Sequence, residues 1–196
     1  ALAGGAVGVS GAGAGASADN RISTKVKAYI EGDGTKGIIA GSIALKADDT
    51  SNITADVAAA SIAGSVGAIG ISVSVGVSLA RNQISNEVSA YILNADGDDT
   101  STTDFGVTTR GSGIIKIEAN GTATITARSA AASASAAFGA LGVAVAGAGA
   151  EATNYIFTTT KAYIENSAVK SGGALDIDAK NTSTITATIA TAAASV

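Results

Sequence analysis

Four groups of residues have types and spacings that could carry chemistry. The loop Asn94-Ala95-Asp96-Gly97-Asp98-Asp99 offers closely spaced oxygen ligands that suit a hard cation such as calcium. It lacks the downstream Glu of an EF-hand, and the Gly-Gly-x-Gly-x-Asp nonapeptide of calcium-binding β-rolls is absent. Glu31 with Asp33, and Glu165 with Asn166, open two comparable segments, so a calcium site at Asp96, Asp98 and Asp99 stands beside the plainer reading of a solvated loop. Tyr29, Tyr91 and Tyr163 recur in identical Ala-Tyr-Ile settings. They suit a surface or interface ladder, or a platform for sugars, although β-propensity alone also places tyrosines on half-exposed strands. Thr122-Ala123-Thr124-Ile125-Thr126 and Thr182-Ser183-Thr184-Ile185-Thr186, with Thr50, Asn52 and Thr54 in a third place, form Thr-x-Thr patterns of the kind that order water on ice. Asp176 and Asp178 share one strand face, but no partner acid or cleft accompanies them as hydrolysis would need.

The missing residues narrow the chemistry further. The 196 residues include no Pro, Cys, Met, Trp or His. That removes the Ser-His-Asp triad, the thiolate nucleophile, the usual zinc and haem ligands and any disulfide framework. Twelve basic residues against 16 acidic ones leave no electrostatic footprint for nucleic acid. The expectation is a structural or adhesive protein, not an enzyme, with no cofactor other than the calcium considered above.

The candidate residues sit in an internal repeat. Asn20, Asn82 and Asn154 each lie eight residues before Ala28-Tyr29-Ile30, Ala90-Tyr91-Ile92 and Ala162-Tyr163-Ile164. A second anchor set is Ile43 to Ala47, Ile115 to Ala119 and Leu175 to Ala179, each followed six residues later by Ile53, Ile125 or Ile185. From Ile53 to Asn82, and from Ile125 to Asn154, the distance is 29 residues both times, whereas the stretch between anchors varies. A constant tract with a variable insert is what stacked repeats show, their insertions emerging as loops on one side. Residues 1–196 therefore read as one array, with copies anchored at about 20–81, 82–153 and 154–196 and the last continuing in the phase of 1–19. Joining Val196 to Ala1 would nearly restore the internal spacing, so the array is expected to continue head to tail.

The constant tracts, 1–18, 57–80 and 129–150, carry no charge. They are long enough to be tested as membrane helices. Ile71-Ser72-Val73-Ser74-Val75-Gly76-Val77-Ser78-Leu79 instead alternates with the period of a strand, so no transmembrane span is expected. In Ile84 to Ile92 the apolar positions 84, 88, 90 and 92 point one way and Gln83, Ser85, Glu87, Ser89 and Tyr91 the other, with Asn86 out of phase. The fold class is all-β: a parallel β-helix, or β-solenoid, of three irregular repeats, with stacked β-sandwich modules as the alternative. Dividing each unit into rungs of about 20 residues gives three coils per unit. The Thr-x-Thr patterns would then lie roughly 3 × 4.8 Å apart, too sparse for a continuous array.

The run Val73 to Ile92, with Ala/Gly/Val alternation leading into Val-x-Ala-Tyr-Ile, resembles units of giant bacterial surface repeat proteins, the leukotoxin-like filamentous adhesins. Ser171-Gly172-Gly173-Ala174-Leu175-Asp176-Ile177-Asp178-Ala179 and Gly111-Ser112-Gly113-Ile114-Ile115-Lys116-Ile117-Glu118-Ala119 are similar to filamentous-haemagglutinin rungs. The resemblance implies a right-handed parallel β-helix in a secreted, cell-surface bacterial protein, and no catalytic residues. The expected function is a structural segment of an extracellular filament or fibrillar adhesin, a stiff rod with itself as partner, head to tail or laterally. The alternative is an adhesive module for carbohydrate or a host or neighbouring cell surface.

Overall fold

Alternation that runs unbroken through Gly, Ala, Ser, Thr and Asn makes strands far longer than usual. The computed structural model describes residues 1–96 and 106–196. Its strands are β1 (Leu2–Gly4), β2 (Val7–Glu31), β3 (Ile38–Ala40), β4 (Ile43–Val66), β5 (Ile69–Leu93), β6 (Val107–Thr109), β7 (Ile115–Phe138), β8 (Leu141–Glu165), β9 (Val169–Lys170) and β10 (Leu175–Ser195). They form three parallel sheets, ordered β1-β4-β7-β10, β2-β5-β8 and β3-β6-β9. Each repeat unit contributes one strand to every sheet, so the fold is a β-solenoid.

The coil is not the expected one. Each unit makes a single coil, not three, because its two main strands span 24 or 25 residues except for the 21 of β10. A strand of 25 residues is about 80 Å long, and two such faces close into a flattened loop. The sandwich alternative fails for the same reason: every strand pair among the described residues joins successive coils, and none closes within a unit.

The interior tapers along the coil. Beside the short β3-β6-β9 sheet, Ile43, Val88, Ile92, Val107, Ile115 and Ile117 fill a wide apolar core. A second cluster follows at Ile53, Ile84, Ile125 and their alanines. Farther along, the inward positions are mostly Ser, Ala and Gly, with Val57 among them, and the two long sheets meet through hydroxyl pairs. Ser61 and Ser74 Oγ atoms lie 2.7 Å apart, and Ser78 and Ser129 Oγ atoms 2.8 Å apart. Gly76 is needed here, since a Cβ on it would stand 2.6 Å from the Ala132 carbonyl oxygen.

The two ends of the coil differ accordingly. At the narrow tip the chain reverses within two residues, between Val66 and Ile69 and between Phe138 and Leu141. At the wide end the turn out of β2, β5 and β8 places Gly32, Asn94 and Asn166 at φ of 73°, 53° and 46°, the left-handed region open to Gly and Asn. The described parts of the three variable segments lie at this end, on one side of the stack.

Candidate functional site

Parallel in-register stacking brings the repeated residues into columns. Asn20, Asn82 and Asn154 point inward and form a ladder: Asn20 Nδ2 donates to Asn82 Oδ1 at 2.9 Å, and Asn82 Nδ2 donates to Asn154 Oδ1 at 2.8 Å. The Asn82 amide serves as acceptor for one coil and donor for the next, which satisfies a polar group held in the core. Ile22, Ile84 and Ile156 stack directly beside it.

On the outer face of the same sheet Tyr29, Tyr91 and Tyr163 form the expected ladder. Their ring centroids are 5.1 and 5.0 Å apart and nearly parallel, at 11° and 10°. Stacking occupies the ring faces: Tyr91 is only 7% exposed while Tyr29 is 51% exposed. A sugar platform needs a free ring face, so Tyr91 offers none. Burial in the stack pushes the Tyr163 phenol above its ordinary value, with the neighbouring Tyr91 adding to the shift.

Asp96 is exposed, while Asp98 and Asp99 lie outside the described residues, and no cluster of acidic side chains suited to a metal occurs among the described ones. Asn166 instead bonds across coils, its Nδ2 donating to Asn94 Oδ1 at 2.9 Å. Asp176 and Asp178 both lie on the exposed strand β10. The one buried carboxylate is elsewhere among these residues. Asp49 accepts from Thr24 Oγ1 and Ser51 Oγ, both at 3.1 Å, and from Asn86 Nδ2 at 2.6 Å. Three donors on one carboxylate read as an interior structural bond, and they account for the out-of-phase Asn86. Asp49 falls on the inward phase of Ile43, Leu45 and Ala47, a signal the sequence contained.

One coil per unit changes the threonine geometry. Thr50, Thr122 and Thr182 are direct neighbours in register, as are Asn52, Thr124 and Thr184, and Thr54, Thr126 and Thr186. The rows therefore repeat at every coil, about 4.8 Å apart, and the sparse spacing expected from three coils per unit is wrong. Charged columns enclose this grid: Asp48, Asn120 and Lys180 on one side and Asp56, Arg128 and Thr188 on the other.

The charged part of the surface is laced with exposed ion pairs, including Lys25–Glu87 at 3.2 Å between coils and Lys46–Asp48 at 2.8 Å within one. The side-chain bonds from Lys46 and then Asn120 hold the Asp48 carboxyl below its ordinary range, as the bond from Lys25 does for Glu87. Exposed pairs of this kind contribute little to stability. The uncharged tracts behave differently: their outward side chains, Ile69, Ile71, Val73, Val75 and Val77, remain 39–45% exposed. No helix among the described residues is long and apolar enough to cross a membrane. Comparison of the chain with family models, with curated proteins and with solved structures gives no match.

Proposed function

We propose that this chain is a structural segment of an extracellular filament or fibrillar surface adhesin, built by adding further coils of the same kind to its two open sheet edges. The observation that carries this reading is the match between those edges. β2 in the first coil and β8 in the third are both 25 residues long, and both pair with β5 over its whole length. The column residues are the same on both sides, Asn20 and Asn154, Ile22 and Ile156, Tyr29 and Tyr163, Ile30 and Ile164. Proteins that must not polymerise blunt long edges with Pro, bulges, lysines or inward charges, and of these devices β2 and β8 carry only the outward Lys25, Lys27 and Lys161. These edges have no Pro, and their inward positions carry only Gly, Ser, Ala, Asn, Thr, Val and Ile. A further coil, from the same chain or from another copy, continues every ladder. The work of such a protein is mechanical.

Electron microscopy with averaging along the fibre axis tests this. Three coils advance about 14 Å, so the expected filament shows rungs near 4.8 Å and a unit rise near 14 Å. Isolated particles about 80 Å wide, unchanged at high concentration, would refute assembly through the edges. The carbohydrate-binding alternative loses the central ring of its platform, because Tyr91 is stacked on both faces.

A further inference from the structure

The glycines of the long strands fall into two kinds. Inward ones are demanded by close approach, as at Gly76 and at Gly8, where a Cβ would stand 2.9 Å from the Val66 carbonyl oxygen. Gly11, Gly13, Gly15, Gly147 and Gly149 are different: they point outward, have no positive φ, and a Cβ on any of them would meet nothing within 4 Å. Glycine in a strand interior gives up stability, and commonly marks a place where another backbone comes close. Nothing within this chain comes close to these five.

Register shows what shape they make. Gly11, Gly13 and Gly15 lie beside Val73, Val75 and Val77, and Gly147 and Gly149 lie on the other side of Val75 and Val77. The second coil thus carries a ridge of exposed valines between two shelves without side chains. We infer that this face pairs with the same face of a second copy, each copy's valine ridge seated on the other's glycine shelf.

Two copies related by a two-fold axis parallel to the strands, placed between the first and second coils, keep every residue level with its own column while exchanging the two coils. Val73, Val75 and Val77 then stand opposite the partner's Gly11, Gly13 and Gly15. The column that ends the uncharged band falls into place as well. Asp19 and Arg81 are register neighbours, so Asp19 comes to face the partner's Arg81 and Arg81 the partner's Asp19. From Gly11 to Asp19 shape and charge are both self-complementary in this arrangement, whereas Val7 and Val9 meet the partner's Ile69 and Ile71 without a shelf. The shelf beside the third coil gives no such match, since Glu151 would face Leu79. From Val7 to Ser17 the band is about 36 Å long, so two coils of overlap cover roughly 350 Å² per copy. That is under half of the about 800 Å² per partner of a standard interface, and pairing is accordingly weak in a single copy. The inference does not depend on edge assembly.

The test uses sedimentation velocity of the full chain over a concentration series to millimolar. Gly13→Leu with Gly15→Leu fills the shelf at positions that have room in the single copy. Its thermal midpoint is expected to be unchanged or raised while face pairing weakens at least tenfold. Asp19→Arg and Arg81→Asp should each weaken pairing alone, and an equal mixture of the two variants should restore it. Gly13, Gly15 and Asp19 lie on the edge strand β2, so the two readings are told apart by their products: edge assembly grows ribbons of indefinite length, whereas face pairing stops at two copies, and a failure of one leaves the other visible. The inference is overturned if the wild-type chain shows no association sensitive to these substitutions, if the filled variant pairs like the wild type, or if the mixture fails to recover. Flotation of the wild-type chain with phosphatidylcholine vesicles, without self-pairing, would overturn it too and assign the band to a bilayer.

Discussion

Replacing Asn82 by Ala tests whether the inward asparagine ladder holds the coils together. Asn82 is 2% exposed and makes two ladder bonds, one to Asn20 at 2.9 Å and one to Asn154 at 2.8 Å. Each contributes about 1 kcal/mol net, and stranding a partner in the core adds to the loss. Asn82→Ala is therefore expected to destabilise by about 2–3 kcal/mol, whereas Asn20→Ala or Asn154→Ala, each breaking one bond and leaving one polar atom of Asn82 unpaired, loses about 1–1.5 kcal/mol. The informative quantity is the difference between centre and end, because the deleted side chain is the same at all three positions. Urea unfolding followed by circular dichroism measures it, with equal denaturant slopes required for the comparison. If Asn82→Ala loses no more than the end variants, the amides are independent polar groups and the ladder is not a unit of cohesion.

Other substitutions separate the remaining contacts. Tyr91→Leu breaks two ring stacks and Tyr29→Leu one, so the central change should lose about 0.5–1.5 kcal/mol more in the same unfolding assay. The Tyr163 phenol holds its proton above its ordinary value of 10.0, so the folded state favours the protonated form. Its stabilising effect is complete below about pH 10 and is lost as pH rises through the displaced value. Ultraviolet titration should show Tyr163 ionising above that ordinary value, and Tyr91→Leu should lower its midpoint. Asp49→Ala leaves Asn86 Nδ2 without its 2.6 Å acceptor and should lose about 1–3 kcal/mol by thermal or urea unfolding. Gly76→Val drives a side chain against the Ala132 carbonyl and should lose at least about 1–3 kcal/mol by the same measurements, opposite in direction to filling outward Gly13.

The repeat was legible in the sequence because the column residues are the identical ones: Asn82 sits on Asn20 and Asn154, and Tyr91 on Tyr29 and Tyr163. The phase of Ile84, Val88, Ala90 and Ile92 was legible too, although Asn86, read as an exception to it, also turns inward. Coil length was not. Strands of 24 or 25 residues lie far beyond the usual five or six, and no turn residue inside the tracts announces that the strand simply continues. Small residues also hide which side is which. Gly11-Ala12-Gly13-Ala14-Gly15 alternates equally well in either phase, and only the register with β5 shows that alanine points inward and glycine outward. The role of Asp49 was hidden because its partners Thr24 and Asn86 come from another sheet, one of them from another coil.

One coil per unit also alters the mechanics of the proposed filament. Three coils of about 20 residues per unit would have made a compact rod, whereas this coil is about 80 Å wide and, with two sheets face to face, about 10 Å thick. Stacking such coils gives a ribbon, stiff within its plane and compliant across its thin dimension. The core is thinnest at the tip, where only Ser, Ala and Gly separate the sheets, and the valine ridge and glycine shelves lie on the outside of that same stretch. Face pairing would therefore thicken the ribbon where it is weakest. Each added coil brings only a little contact area, so the effect would be small for one copy and would grow along a stack. Wild-type filaments in electron micrographs should then be paired and straight, with a long persistence length. Filaments of the Gly13→Leu and Gly15→Leu variant should remain single and visibly more curved. Equal straightness in the two would mean that the outward face adds nothing to the stiffness of the ribbon.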